Sequence, residues 1–190
     1  MFTVVQTFII RFATLFGIAL TGTNLDVDLT GPVAELKGDS VAVSIVVLSP
    51  LSDDLVRILR SGTRVELQFS CRLRYANGRR VPLPEITVIN SVEKSLSSEV
   101  YLIRRSHKET RTSELSGTSV LFRLETRRLW SVYRLKRGNY YLDVSVKLLP
   151  ITIESTGQIF DLMALWNYVE PRNRSKSFSL RELKMRQVGR

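Results

Sequence analysis

The sequence predicts an all-β protein built from antiparallel strands. In the stretch from Thr63 to Tyr75, TRVELQFSCRLRY, apolar residues alternate with polar ones, which is typical of a strand with one face on a core. Residues 140–149, YYLDVSVKLL, alternate in the same way. Turn signals are frequent, and helical patterns are too few for alternating βαβ units. These observations favour an immunoglobulin-like β-sandwich of about seven or eight strands, with one or two short helices.

Length and composition favour a single domain. The chain has 190 residues, of which 44% are hydrophobic, and this is enough for one substantial core but too few to argue for two. We place the β-sandwich at residues 24–180 and a basic, frayed tail at residues 181–190. With 28 Lys and Arg against 18 Asp and Glu, the formal net charge is +10, so the domain should present a basic surface.

Residues 1–23 are typical of an export signal. They contain no acidic residue, and their one charged side chain, Arg11, is followed by the apolar run FATLFGIAL and by small residues. An uncleaved anchor over residues 1–20 is the alternative, although Arg11 at mid-span would cost about 2.5 to 3.5 kcal/mol. We therefore predict a signal peptide or N-terminal anchor, and a location in the periplasm or on the outer face of the inner membrane.

The first half of the domain reads as strands with one helix. Residues 24–37 predict an opening strand, which alternates over residues 25–30, bends at Gly31-Pro32 and resumes over Val33 to Leu36. Residues 41–48 are β-branched and apolar on both faces, which indicates a central strand. A short helix follows, capped by Ser52, with an acidic pair in its first turn and Gly62 at its end.

The second half continues with shorter elements. Two prolines make residues 81–84 an edge or a crossover, because proline cannot donate a ladder hydrogen bond. Periodicity does not separate strand from helix over residues 121–126 and 129–135. Further strands are predicted over residues 86–92 and 99–105 and near Phe178. Residues 106–119 are almost all polar and predict a hairpin or an exposed excursion, and residues 158–168 predict a helical turn.

No motif for catalysis or metal binding stands out. The single histidine, His107, falls in the polar excursion, and the single cysteine, Cys71, falls on the apolar face of the Thr63–Tyr75 strand, which predicts a core residue. HExxH, CxxC, GxSxG and phosphate-loop patterns do not occur. We predict no catalytic residues, no metal and no cofactor, and a protein that is not an enzyme.

The excess of basic residues is the positive signal for function. Many of them fall at strand ends and turns, where they could converge on one rim that binds an anionic partner. The alternative is a basic surface that only keeps the protein soluble. The predicted rim consists of Arg72, Arg74, Arg79, Arg80, Arg104, Arg105, Arg127, Arg128, Lys136 and Arg137. A further basic group, Arg172, Arg174 and Lys176, lies close to the C-terminus.

An exported protein with such a rim would meet an envelope protein or an anionic membrane surface. Nucleic acid is disfavoured, because it calls for aromatic rings exposed among the arginines. Tyr75, Trp130 and Tyr133 are the candidates, but each also fits an apolar stripe, so we interpret them as core.

Three segments resemble a bacterial family of exported domains of unknown function. They are LSDDLVRILRSGTRVELQFSCRLRY, SSEVYLIRRS and GNYYLDVSVKLLP, and the similarity covers most of residues 25–149. The resemblance implies export and a β-sandwich, and it provides no active-site residues. Family members are often encoded beside membrane sensor kinases, which implies an accessory role in envelope signalling.

Together these observations predict a non-catalytic cell-envelope domain that binds a protein or membrane partner through a basic rim. Two alternatives remain open. One is an enzyme acting on an anionic envelope substrate, and the other is a nucleic-acid-binding protein, should the chain not be exported. The sequence leaves the oligomeric state open.

Overall fold

A computed structural model describes residues 27–48, 52–95, 97–105, 108–114, 121–126, 128–153 and 157–188. The predicted signal segment, His107 and Arg127 lie outside these ranges. The fold is mostly β with antiparallel pairing, as the sequence predicts. The strands are β1 (Asp28–Leu29), β2 (Val33–Lys37), β3 (Ser40–Leu48), β4 (Val65–Tyr75), β5 (Ile86–Lys94), β6 (Tyr101–Arg105), β7 (Lys108–Thr112), β8 (Arg123–Glu125), β9 (Trp130–Ser131), β10 (Asn139–Leu148), β11 (Ile151–Ile153), β12 (Gln158–Phe160), β13 (Arg172–Arg174) and β14 (Phe178–Ser179).

The larger sheet is built around β4 and β10, the two strands with the clearest alternation. They pair from Tyr75 opposite Tyr140 to Leu67 opposite Leu148. The strand order is β13-β10-β4-β5-β6-β7, and β14 also pairs with β10. Leu67, Phe69 and Cys71 are fully buried on the inner face, because alternation places all apolar residues of β4 on one side. The prediction of a core position for Cys71 is therefore confirmed.

The smaller sheet has β3 at its centre. β1 and β2 pair with one edge of β3, and β8 and β9 pair with the other. The central position predicted for residues 41–48 is thus confirmed. A separate hairpin joins β11 and β12.

Hydrogen bonds between the sheets fix their relative direction. Trp130, which pairs with the start of β3, donates its ring N–H to the Pro84 carbonyl just before β5 (3.3 Å). Asn90 within β5 donates to the Arg123 carbonyl of β8 (3.0 Å), beside the second half of β3. Along β5, β3 therefore runs in the same direction. At the other side of the larger sheet, the Asn173 side chain of β13 donates to the Leu29 carbonyl of β1 (2.7 Å), so the end of β3 that pairs with β1 lies near β13. We call the end of the larger sheet where β4 finishes the basic end.

Helix α1 (Asp53–Arg60) forms where its capping pattern predicts it. The Ser52 hydroxyl accepts a hydrogen bond from the Leu55 amide at 3.1 Å. Leu55, Ile58 and Leu59 are buried. Gly62, with φ of 86°, follows the helix in the left-handed conformation that favours glycine.

In the described part of the predicted basic tail, residues 181–188 are helical, which corrects the expectation of a frayed segment there. Helix α2 spans Leu180–Val188, and Leu183 is buried against the core. The Ser179 hydroxyl accepts from the Glu182 amide, and the Glu182 carboxylate accepts from the Ser179 amide. This capping box begins the helix.

The remaining elements resolve what periodicity left open. Residues 121–126 contain β8, and residues 129–135 contain β9 followed by the 3-10 helix η1 (Val132–Arg134). Of the helical turn predicted over residues 158–168, residues 158–160 instead form β12, and the helical part is the 3-10 helix η2 (Leu162–Trp166). The immunoglobulin-like strand order stays a prediction. None of the helices in the described ranges is long and apolar enough to cross a membrane.

Candidate anion-binding site

A buried carboxylate lies on the outer face of the larger sheet. Asp143 is on the side of β10 that faces away from the core, yet it is only 4% exposed. Its neighbours across the ladders are Arg72 on β4 and Arg174 on β13. A carboxylate that loses its water needs charged or hydrogen-bonding partners, and the two flanking strands provide them.

Two arginines form ion pairs with Asp143. Arg74 Nε lies 3.5 Å from Asp143 Oδ2, and Arg172 Nε lies 3.9 Å from Oδ1. Neither distance reaches a full hydrogen bond, and both Arg74 Nε and Asp143 Oδ1 are buried without a hydrogen-bond partner among the described residues. We call Asp143 and the four surrounding arginines, Arg72, Arg74, Arg172 and Arg174, the arginine cluster.

Two members of the arginine cluster have further partners. Arg72 Nε donates to Glu85 Oε2 at 2.6 Å, and this charged hydrogen bond lowers the pKa of Glu85 and raises the pKa of Arg72. The Arg174 guanidinium lies over the ring of Tyr141, 5.3 Å from its centroid, in a cation–π contact. Arg72 and Arg174 are therefore held as well.

A cavity of about 180 Å³ opens beside the arginine cluster. It forms because the chain turns at Gly78, where φ is 82°, and returns alongside β4, so that Arg80 forms a β-bridge with Arg74. We call this cavity the arginine pocket. Its lining residues are Arg72, Leu73, Arg74, Arg80, Val81, Leu83 and Glu85.

The segment before β10 brings more positive charge to the basic end. The Ala76 amide donates to the Asn139 carbonyl at 2.8 Å, and the rings of Tyr75 and Tyr140 stack with centroids 5.2 Å apart. The Tyr140 hydroxyl donates to the Lys136 carbonyl. These contacts place the turn carrying Arg79 and Arg80 beside the segment that carries Lys136 and Arg137.

The structure therefore collects part of the predicted rim at one end. The residues at the basic end are Arg72, Arg74, Arg79, Arg80, Lys136 and Arg137. Arg104 also faces outward but lies further along the sheet, paired with Glu93 (3.6 Å) and Glu109 (3.3 Å). Arg105, the next residue of β6, points to the opposite face of the sheet from Arg104. Arg128 lies beside the smaller sheet, because the Leu129 amide donates to the Val41 carbonyl. Arg127 is outside the described residues.

Sequence reasoning did not connect Asp143, Glu85, Arg172 and Arg174 with this site. The signal for the two arginines is their spacing of two, which places both on one face of a strand. Asp143 also stands on the polar face of its strand. Nothing in either pattern indicates that β13 pairs with β10.

The aromatic residues behave differently from one another. Trp130 is buried, as predicted, and Tyr75 is partly buried against Tyr140. Tyr133, which we interpreted as core, is 84% exposed. It belongs to η1, which has no buried residue, so the apolar pattern in this segment did not mark a core face.

Possible metal ligands and the single cysteine are the remaining side chains with reactive chemistry. The described residues include no group of three or more His, Cys, Asp or Glu side chains that could hold a metal ion. Burial, followed by the nearby Glu85 charge, raises the pKa of Cys71 to about 12, so its thiol is protonated near neutral pH.

No protein-family model matches the chain, and neither a curated protein nor a solved structure matches it. Family membership, export and function therefore stay predictions.

Proposed function

We propose that this protein is a non-catalytic domain of the cell envelope that binds an acidic protein partner through the basic end of its larger sheet. The observation that carries the proposal is a group of four exposed cations at that end, Arg79, Arg80, Lys136 and Arg137. None of them forms an ion pair with a carboxylate of the described residues. Their charges are therefore available to a partner.

The charge distribution suits recognition of an acidic surface. Arg72, Arg74 and Arg172 already have carboxylate partners, whereas the four exposed cations do not. A cluster of one sign steers an oppositely charged protein toward it and fixes its orientation. An accessory role in envelope signalling, implied by the family resemblance, fits this kind of binding.

Tyr133 supports a protein as the partner. Its exposed ring lies two residues after the end of β9, and the basic residues Arg134, Lys136 and Arg137 follow it in the sequence. Tyr and Arg are enriched in protein–protein interfaces, where the ring contributes apolar contact and the guanidinium contributes hydrogen bonds.

Binding of an acidic peptide tests the proposal. We expect the purified chain to bind fluorescein-labelled polyglutamate in an anisotropy assay, with affinity that falls as salt rises. Replacing Arg79, Arg80, Lys136 and Arg137 with glutamine should remove most of this binding. As a matched comparison, the double variant Arg79→Gln with Arg80→Gln should lose more binding than Arg60→Gln with Lys108→Gln, which removes two other exposed cations that form no ion pair with a described carboxylate. Equal loss in both variants would contradict a site at the basic end.

Single-stranded nucleic acid is a second candidate, favoured by one observation. Tyr133 is exposed close in sequence to basic residues, and base stacking on aromatic rings is how such proteins bind single strands. A labelled oligonucleotide in the same assay distinguishes the two. Tighter binding of the oligonucleotide than of polyglutamate, lost on Tyr133→Ala, would favour nucleic acid.

A further inference from the structure

We infer that the arginine pocket receives one carboxylate side chain of the acidic partner, with the Arg80 guanidinium as its donor. This inference rests on the proposed function and makes it specific. It assigns the binding of one carboxylate to the arginine pocket, in addition to the attraction that all the cations of the basic end exert on an acidic partner.

One guanidinium without an ion-pair partner lines the arginine pocket. Arg80 is exposed and forms no ion pair with a described carboxylate. The other two arginines of the lining, Arg72 and Arg74, already pair with Glu85 and Asp143. The arginine pocket therefore has one cation that can bind a carboxylate from outside.

The size of the arginine pocket limits what can enter it. A volume of about 180 Å³ corresponds to roughly six water molecules at about 30 Å³ each. Sites for whole small-molecule ligands usually measure about 300 to 1,000 Å³. A single side chain therefore fits better than a sugar or a nucleotide.

The walls of the arginine pocket favour a carboxylate side chain over a phosphate group. Leu73 and Val81, each only 6% exposed, and the partly buried Leu83 form an apolar part of the lining. The methylene groups of a glutamate can pack against such a surface, whereas the phosphate group itself has no apolar part. Glutamate thus matches both the guanidinium groups and the apolar wall.

The balance of charge gives a second reason to prefer a carboxylate. Glu85 pairs with Arg72 and Asp143 pairs with Arg74, so Arg80 carries the one unpaired charge of the lining. One unpaired cation balances the single charge of a carboxylate, whereas a phosphate group carries about −1.5 to −2 near neutral pH. The planar guanidinium of Arg80 also matches the two oxygens of a carboxylate.

Neighbouring residues provide a matched pair of variants. Arg79 and Arg80 are both exposed and lie in the same turn, but only Arg80 lines the arginine pocket. Arg79→Gln and Arg80→Gln therefore remove the same charge from nearly the same place. Both variants should fold, which the midpoint of urea unfolding checks.

The experiment measures binding of labelled polyglutamate to the full chain as purified from its host. We expect Arg80→Gln to weaken binding about tenfold or more, the size of a lost charged hydrogen bond, and Arg79→Gln to weaken it less than about threefold. Arg80→Lys, which keeps the charge without the planar fork, should fall between wild type and Arg80→Gln.

Each other outcome overturns a defined part of the argument. Equal weakening by Arg79→Gln and Arg80→Gln would remove the role of the arginine pocket and leave the proposed function standing. Inorganic phosphate displacing the peptide at lower concentration than glutarate would reassign the arginine pocket to phosphate. If the wild-type chain bound phosphatidylglycerol vesicles and not polyglutamate, or bound neither, the proposed function would fail as well.

Discussion

Replacing Asp143 with asparagine tests the arginine cluster most directly, because the change keeps the side-chain volume and removes the charge. Arg74 Nε lies 3.5 Å from the carboxylate, and both side chains are largely buried. At an effective dielectric constant of about 20, this pair contributes roughly 5 kcal/mol of Coulomb attraction. The Arg172 pair, at 3.9 Å and half exposed on the arginine side, contributes only about 1 kcal/mol in near-aqueous surroundings.

The cost of removing Asp143 from water offsets much of this attraction. That cost is several kcal/mol for a buried ion. In Asp143→Asn, however, Arg74 stays largely buried without its partner. Breaking one side of a buried pair usually costs about 3 to 5 kcal/mol, and the partial exposure of the arginines reduces this. We therefore expect the free energy of unfolding to fall by about 2 to 4 kcal/mol.

Urea unfolding of wild type and Asp143→Asn measures this difference. Glu125→Gln is the control, because it removes a carboxylate from the exposed pair with Arg123 (3.5 Å), where a loss below about 1 kcal/mol is expected. Adding Arg74→Gln to Asp143→Asn should restore part of the stability, since no buried charge is then left unpaired. A loss below about 0.5 kcal/mol in Asp143→Asn, or no recovery in the double variant, would refute the reasoning.

Three further predictions concern Glu85, Cys71 and Tyr140. The pKa of Glu85 is lower in the folded chain than in the unfolded chain, because the carboxylate pairs with Arg72. The pair therefore stabilises the fold above the unfolded pKa of about 4.3, and this stabilisation is lost as the pH falls through the pKa of Glu85 in the folded chain. Wild type should therefore lose more stability below about pH 5 than Glu85→Gln in urea unfolding against pH, and parallel curves would contradict this. Cys71, with a pKa of about 12, should resist alkylation by iodoacetamide in the native chain and react after unfolding, as read by mass spectrometry; rapid native labelling would show the thiol to be accessible. Tyr140→Phe should lower the free energy of unfolding by about 1 kcal/mol, because it removes the hydrogen bond to the segment before β10, whereas Tyr133→Phe, at an exposed position, should change it by less than about 0.5 kcal/mol. Equal effects of these two substitutions would argue against the hydrogen bond.

Much of the fold could be predicted because its strongest signals are local. Alternation over Thr63–Tyr75 and residues 140–149 requires only that one strand face be buried, and both segments became long strands. The cap at Ser52 acts within one turn of helix, so it too could be read from the sequence. Residues 129–135 are too few to show a clear period of alternation, and they contain both a strand and a 3-10 helix. For this reason the interpretation of Tyr133 as a core residue was wrong.

The candidate site could be predicted only in part, because it depends on contacts between distant parts of the chain. The arginines after β4 stood out by their number. Their relation to Asp143 depends on the register of β10 against β4 and β13. Alternation places a residue on a face of a sheet and does not identify the strand beside it.

The arginine cluster gives a physical reason why the arginine pocket would bind with selectivity. Ordering a long side chain on binding costs about 0.5 to 1.5 kcal/mol each, and this cost is lower for side chains that are already held. Asp143 holds Arg74 and Glu85 holds Arg72 before any partner arrives. Arg80, in contrast, is restrained through its backbone bridge to Arg74 while its guanidinium stays unpaired. The two acidic residues therefore do not simply cancel positive charge. They fix the walls of the arginine pocket and leave one guanidinium available for a partner.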